Sequence, residues 1–88
     1  MNWTVEWDAA AHRELQALDR PIQQRFVQFL RTLITGAESP RRLGKLLKGE
    51  KTGLWRYRVG DYLIICLIED ARQVVVVVAL GHRRSVYR

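Results

Sequence analysis

The chain has 88 residues, a formal net charge of +6, 48% hydrophobic residues and a single cysteine. This length allows one small core, which predicts a single domain over residues 1–88, and the composition excludes wholesale disorder. A lone cysteine excludes an internal disulfide, and no apolar run approaches the ~20 residues of a membrane span, so we expect a cytoplasmic protein without a membrane partner.

The first part of the chain is predicted to form a scaffold of one strand and two helices. Residues 2–7 alternate apolar and polar side chains, which is typical of a strand with one buried face. Asp8 is a candidate N-cap for a helix over 9–18, and Pro21 lies at the start of a second helix that ends at Gly36. The apolar positions of this second helix are Ile22, Phe26, Phe29, Leu30 and Leu33. The two helices should form an αα-hairpin that covers one face of a sheet.

Positive charge is concentrated in the second half of the chain. Residues 1–40 carry four basic and five acidic side chains, a net of −1, whereas residues 41–88 carry eleven basic and four acidic, a net of +7. A basic loop over 37–53 leads into the central strands and is expected to pair briefly near 45–47. The loop contains three lysines, Lys45, Lys48 and Lys51. We predict that these lysines steer or clamp a nucleic-acid backbone.

The segment 54–66 has the pattern of a β-hairpin. Apolar and charged residues alternate up to Val59, Gly60-Asp61 makes a two-residue turn, and a second strand starts at Tyr62. One face of this hairpin is predicted to face the core and consists of Trp55, Tyr57, Val59, Tyr62, Ile64 and Cys66.

The other face of the hairpin is predicted to be cationic. Arg58 should lie opposite Leu63 and Arg56 opposite Ile65, with both arginines projecting to the same side. Their backbone positions would be roughly 6.5–7 Å apart, which is close to the spacing of neighbouring phosphates along a nucleic-acid strand. We therefore predict a phosphate-binding sheet face.

The last strand and the tail complete the predicted fold. Residues 73–80 include five consecutive valines, which favours a central strand covered on both faces. Gly81 ends this strand, and the tail after it is expected to lie near the arginine face. The polar residues of this tail include His82, Arg83, Arg84, Tyr87 and Arg88. The order βααβββ defines an α+β fold, an antiparallel sheet with two helices on one side and the other side open.

The residue types of the basic half favour RNA chemistry without a metal or other cofactor. This half offers no carboxylate cluster and no histidine pair at ligand spacing, and Cys66 is predicted to point into the core. RNA cleavage needs no protein nucleophile, because the ribose 2′-OH can attack the adjacent phosphate. The candidates for charge neutralisation and proton transfer are Arg56, Arg58, Arg83, Tyr87 and His82.

Three segments together resemble one toxin family. Residues 54–62 (Leu-Trp-Arg-Tyr-Arg-Val-Gly-Asp-Tyr), the valine strand and residues 81–87 (Gly-His-Arg-Arg-Ser-Val-Tyr) are similar to the RelE family of bacterial toxins, within the RelE/ParE superfamily. The resemblance covers nearly the whole chain and implies a microbial-RNase-like fold. It also implies an mRNA interferase, a metal-free endoribonuclease that cuts mRNA in the ribosomal A site, and a cognate RelB-type antitoxin as partner.

The resemblance also implies roles for individual residues. The family's two basic residues on the first hairpin strand fall on Arg56 and Arg58, where founding members carry lysine. Arginine holds its proton tightly, so this pair is expected mainly to bind phosphate. The family's C-terminal arginine falls on Arg83, a candidate for transition-state stabilisation and leaving-group protonation, and its tyrosine falls on Tyr87, which can stack on a base. His82 is expected to make a structural or phosphate contact. The remaining predicted RNA-binding residues are Lys45, Lys48, Lys51, Arg84 and Arg88.

The chain departs from the family pattern at Leu63, where relatives usually carry arginine. A leucine beside Arg58 on the charged face is unfavourable, and losing a cation near a transition state costs roughly 10²–10³ in rate. We therefore predict that Leu63 attenuates the toxin. Two other functions are compatible with the same residues: a ParE-like toxin that acts on DNA gyrase, and a non-catalytic nucleic-acid-binding or protein-binding module.

Overall fold

The computed structural model of the chain describes residues 3–36, 39–46, 53–82 and 84. The elements in chain order are β1 (Thr4–Trp7), α1 (Ala9–Gln16), α2 (Arg20–Thr35), a 3₁₀ turn (Pro40–Leu43), β2 (Lys45–Leu46), β3 (Leu54–Val59), β4 (Tyr62–Glu69) and β5 (Val74–His82). Within the described residues the strands form one five-stranded sheet in the order β1-β5-β4-β3-β2. The predicted α+β class is confirmed, as is the brief pairing expected near residue 45.

Both helices begin where the sequence predicts. Asp8 caps α1 by accepting a hydrogen bond from the Ala10 backbone N–H at 3.2 Å, and α2 has Pro21 in its first turn. The α1–α2 turn is held by Gln23, whose side-chain amide donates to the Leu18 carbonyl at 2.7 Å. Gly36 follows the last turn of α2, as predicted. Neither helix has the length and apolar run that a membrane span requires, in the part of the chain that the structure describes.

The core lies between the helix pair and one face of the sheet. The helices contribute the apolar stripes that their spacing predicts, and Phe26 is completely buried. The buried residues of this core are Trp3, Ala11, Leu15, Phe26, Leu30, Leu33, Tyr57, Ile64, Cys66, Ile68, Val75, Val77 and Leu80. The predicted core-facing residues Trp55, Val59 and Tyr62 are partly buried against its edge. Both helices pack on this face, and no helix among the described residues covers the opposite face, which we call the helix-free face.

The β3–β4 hairpin has the predicted register. Val59 pairs with Tyr62 across the turn, and the arginines of β3 lie opposite Leu63 and Ile65 of β4. Gly60 adopts a φ of 62°, which a two-residue hairpin turn requires and which glycine adopts without strain.

The sheet differs from the prediction at its N-terminal strand. We expected an antiparallel sheet, but β1 runs parallel to β5, with Thr4 opposite Val74 and Trp7 opposite Val77. These two strands stand at opposite ends of the chain, so no tight turn constrains their relative direction. β5 is a central strand between β1 and β4, as the valine run predicts, but the described helices cover only one of its two faces.

A β-bulge interrupts the pairing of β4 with β5. Ile65 lies opposite Ala79 and Cys66 opposite Val77, so Val78 is the extra residue. An extra residue reverses the facing of every residue that follows it. As a result Leu80, rather than Ala79, points into the core. The side chains after Val78 in β5 therefore point to the side of the sheet opposite to the one they would face in a regular strand.

Candidate functional site

Three adjacent strands place cations next to apolar side chains on the helix-free face. Lys45 of β2 lies opposite Arg56 of β3, and Arg56 in turn lies opposite Ile65 of β4. In the neighbouring row Arg58 lies opposite Leu63. Opposed residues project to the same side of a sheet with Cβ atoms roughly 4.5–5.5 Å apart. The local sequence pattern therefore builds a compact group of three cations from β2 and β3.

This group lines a cleft of about 550 Å³. The lining residues are Leu43, Gly44, Lys45, Arg56, Arg58, Leu63 and Arg84. Four of these described lining residues are cationic, and none of them carries a carboxylate. A concave surface that holds one sign of charge focuses its field, so the cleft is suited to an anionic ligand.

The opposite end of the helix-free face is electrostatically different. Arg72 forms ion pairs with Glu6 and Glu69, and both carboxylates are on strands at that end of the sheet. Among the described residues, the four cations that line the cleft therefore lie at the other end of this face from these two carboxylates.

The floor of the cleft is apolar. Leu63, which lines the cleft, is 6% exposed, and Ile65, which lies opposite Arg56 on the same face of the sheet, is 8% exposed. Neither belongs to the core beneath the helices. Leu43, which also lines the cleft, is in contrast 60% exposed. Leu63 is thus a covered floor residue rather than an exposed leucine among charges. An apolar floor reduces water around a bound anion and so strengthens its attraction to the surrounding cations.

Arg58 is held in place by the hairpin turn. Its Nε–H donates to the Gly60 carbonyl at 3.1 Å. A guanidinium has five N–H donors in a fixed fork, so this bond orients the group while four further N–H groups remain on the two terminal nitrogens. Such a fork matches the oxygens of a phosphate.

The wall of the cleft rests on a buried tyrosine. The Tyr57 hydroxyl donates to the Pro40 carbonyl at 2.9 Å, and this side chain is 1% exposed. Burial raises the pKa of Tyr57, so the phenol stays protonated as a donor. The Gly44 backbone packs so closely on the Tyr57 ring that an added Cβ would lie 2.6 Å from Cε1. The 3₁₀ turn and Gly44 are thereby fixed against the Tyr57 side chain of β3.

A surface ion pair supports the same wall. Arg41 makes two hydrogen bonds to the Asp70 carboxylate, at 2.8 and 2.6 Å, and its guanidinium carbon lies 5.8 Å from the centroid of the Trp55 ring. The hydrogen bond from Arg41 lowers the pKa of Asp70. This pair links the 3₁₀ turn to the β4–β5 turn.

The structure brings part of the predicted site together. Lys45, Arg56, Arg58, Leu63 and Arg84 all line the cleft. The other predicted residues Lys48, Lys51, Arg83, Tyr87 and Arg88 lie outside the described residues. Their predicted roles remain predictions.

His82 is described but does not line the cleft. It pairs with Tyr62, and its ring makes an edge contact with the Tyr62 ring at 5.6 Å between centroids.

The cleft also includes two residues for which the sequence predicted no role, Leu43 and Gly44. The available signal was Leu43, an apolar residue within an otherwise basic loop.

The thiol and the acidic groups are not arranged for catalysis at this site. Cys66 is fully buried in the core, as predicted, and burial raises its pKa to about 12. Across the described ranges, no three His, Cys, Asp or Glu side chains are grouped in a way that could hold a metal ion.

Comparison with known proteins shows which class of protein this chain belongs to. The family model of the ParE toxin of the type II toxin–antitoxin system parDE matches residues 5–87. The chain is therefore a toxin of the type II toxin–antitoxin class.

Individual relatives narrow this class. The chain is 32% identical over 88 residues to Toxin RelG of Mycobacterium tuberculosis, covering 100% of this chain and 99% of the relative. It is 34% identical over 80 residues to Toxin RelE of the same organism, covering 91% and 80%. The toxin–antitoxin complex RelBE2 from Mycobacterium tuberculosis contains a chain that superposes with a TM-score of 0.79 at 32% identity, covering 94% of this chain and 100% of that one. The protein belongs to the RelE family of the RelE/ParE superfamily.

Proposed function

We propose that this chain is a metal-independent mRNA endoribonuclease that cuts message on the ribosome in the cytoplasm. The observation that carries the proposal is the cleft itself: cations from β2, β3 and the C-terminal segment surround an apolar floor on the helix-free face. Such a site binds the ribose–phosphate backbone without a metal ligand set. The chain belongs to a family of toxins, and cleavage of mRNA would stop growth, so this membership supports mRNA as the target.

The reaction that suits this cleft uses the RNA as its own nucleophile. The ribose 2′-oxygen bonds to the adjacent phosphorus while the bond from phosphorus to the 5′-oxygen breaks, leaving a 2′,3′-cyclic phosphate and a 5′-hydroxyl. Arg56 and Arg58 bind the non-bridging oxygens and neutralise the charge that develops in the pentavalent transition state. Because an arginine is already protonated at neutral pH and cannot accept a further proton, Arg56 and Arg58 do not act as the general base, and the 2′-OH proton passes to water or to another group.

Two further steps are assigned by family resemblance to residues outside the described part of the chain. Arg83 would stabilise the transition state and protonate the leaving 5′-oxygen, and Tyr87 would stack on the base next to the cleaved bond. Lys45 and Arg84 line the cleft and would bind the flanking phosphates. Phosphates further along the RNA would be bound by Lys48, Lys51 and Arg88.

Leu63 is proposed to attenuate the enzyme. It occupies the floor directly opposite Arg58, and the cleft above it has room for a longer side chain. Leu63→Arg should raise the cleavage rate by about 10²–10³, the effect of one positioned cation on a transition state. Leu63→Met is the matched control, because it conserves volume and apolarity and should leave the rate within a few-fold. Equal rates in both variants and the wild type would contradict attenuation.

The deciding experiment is primer extension on mRNA in translating ribosomes. Wild-type chain and Leu63→Arg should produce new cuts in ribosome-bound message, and Tyr87→Ala should lose them. The cuts should also appear with the metal-free products described above. Intact message with wild type and Leu63→Arg alike would contradict the endoribonuclease proposal.

The family-model match favours a second candidate function. That model is named for the ParE toxin, so inhibition of DNA gyrase by the same fold is the alternative. Loss of gyrase supercoiling with intact mRNA would support it. If neither mRNA nor supercoiling is affected, a non-catalytic binding module is the remaining function, acting through the same basic face.

We also propose an antitoxin partner that meets the cleft. The neighbouring solved structure is named as a toxin–antitoxin complex, and the cleft of this chain carries four cations with apolar leucines at its wall and floor. An acidic or amphipathic segment complements this surface. Co-expression with the small gene product encoded beside the toxin should yield a co-purifying complex that forms more slowly at high salt.

A further inference from the structure

His82 lies at the exit of β5 but faces away from the cleft. It pairs with Tyr62 across the β4–β5 ladder, and the two rings meet edge to face at 5.6 Å and 74°. Tyr62 makes a second edge contact with Phe26 at 5.7 Å, and Phe26 is completely buried. A chain of three rings therefore connects the core to the His82 imidazole and limits its rotation.

The same imidazole makes a hydrogen bond to the backbone two residues later. The Arg84 backbone N–H donates to His82 Nδ1 at 3.3 Å. For Nδ1 to accept, the ring must be neutral and carry its proton on Nε2. A side-chain acceptor that bonds the N–H of residue i+2 is the arrangement by which Asn and Asp stabilise turns. His82 plays this part here at the end of a strand.

This hydrogen bond matters because Arg84 lines the cleft. The bulge at Val78 determines which side the end of β5 faces, so that His82 lies on the helix side, whereas Arg84, two residues later, lines the cleft. A chain leaving a strand end has many directions open to it, and a local side-chain bond selects among them.

We propose that His82 is a positioning residue: its ring, held by Tyr62, accepts a hydrogen bond from the Arg84 N–H and thereby fixes the backbone at Arg84 so that the Arg84 side chain reaches the cleft. His82 itself does not contact the RNA. The RNA-binding consequence rests on the proposed function, whereas the positioning of Arg84 does not depend on it.

Three substitutions at one position separate positioning from contact. His82→Asn places its Oδ1 where Nδ1 stands and retains the i+2 bond. His82→Gln carries its acceptor one bond too far, and His82→Ala has no acceptor. The first measurement is amide hydrogen exchange at Arg84 by NMR. Exchange should be about fivefold faster in the Gln and Ala variants, the effect of one typical hydrogen bond, and within twofold of wild type in His82→Asn.

The second measurement is affinity for a short 2′-O-methyl RNA, which cannot be cleaved because its nucleophile is blocked. His82→Ala and His82→Gln should weaken binding several-fold, and His82→Asn should restore it. Weaker binding by His82→Ala with unchanged exchange at Arg84 would show direct contact and overturn the proposal, as would failure of His82→Asn to rescue either readout. If wild type does not bind RNA but the exchange pattern appears as expected, the proposed function fails while the positioning role stands.

The ring contact gives an independent check. Tyr62→Phe keeps the edge contact with His82 and should leave exchange at Arg84 unchanged, whereas Tyr62→Leu removes it and should raise exchange toward the His82→Ala value. Unchanged exchange in Tyr62→Leu would overturn the part assigned to Tyr62.

Discussion

Gly44→Ala tests how the wall of the cleft is built. The added Cβ would lie 2.6 Å from Tyr57 Cε1, 2.9 Å from Cδ1 and 2.9 Å from the Arg56 carbonyl oxygen. The ring cannot move aside, because Tyr57 is 1% exposed and its hydroxyl bonds the Pro40 carbonyl. The backbone dihedral angles are not the obstacle, since Gly44 has a φ of −117°.

The expected cost follows from these contacts. Overpacking of this kind costs about 1–3 kcal/mol, and weakening the Tyr57 hydrogen bond adds about 0.5–1.5 kcal/mol. The lower chain entropy of alanine in the unfolded state offsets about 0.4–1 kcal/mol. A net loss of about 2 kcal/mol lowers the melting temperature of a domain of this size by roughly 8–16 °C.

The assay is thermal unfolding of the isolated chain, followed by circular dichroism. Gly36→Ala is the matched control, because its Cβ would meet its nearest atom, the Thr32 carbonyl oxygen, at an ordinary 3.4 Å and its φ is −65°. That variant should melt at or above the wild-type temperature. A Gly44→Ala melting temperature within 2 °C of wild type, about the shift of a quarter to half a kcal/mol, would refute the close packing described here.

Two further predictions concern ionisation. The hydrogen bond from Arg41 lowers the pKa of Asp70, so the ion pair adds stability above the unfolded-state pKa of about 3.9 and loses it as the pH falls through the lower folded-state value. Urea titrations between about pH 5 and pH 2 should therefore show a smaller loss of stability for Asp70→Asn than for wild type, and parallel curves would contradict the pair. Burial raises the pKa of Cys66 to about 12, so a thiol reagent at pH 8 should label it only in denaturant; rapid labelling of the folded chain would contradict its burial.

The hairpin could be predicted because its information is local. A Gly-Asp turn between two strands sets the register, and the register alone places Arg56 and Arg58 on one face opposite Ile65 and Leu63. The helix boundaries were predictable for the same reason, since Asp8 and Gly36 act on their own helix ends.

The remaining features depend on contacts between distant parts of the chain. The position of the 3₁₀ turn, and with it the wall at Gly44, depends on the Tyr57–Pro40 bond, which spans 17 residues. The bulge at Val78 is hidden within five consecutive valines, where no alternation reveals a shift of register. The side on which His82 lies depends on that bulge, so its contact with Tyr62 could not be predicted from spacing.

The central claim is that Arg56 and Arg58 grip the phosphates of a single RNA strand. It is tested by the salt dependence of binding to 2′-O-methyl RNA, where each neutralised phosphate contributes about −0.7 to the slope of log affinity against log salt concentration. The double variant Arg56→Gln/Arg58→Gln is compared with Arg31→Gln, which removes an exposed cation from α2 on the helix side. The double variant should reduce the magnitude of the slope by about 1.4 and the control should leave it unchanged. Equal slopes for wild type and the double variant would contradict the claim.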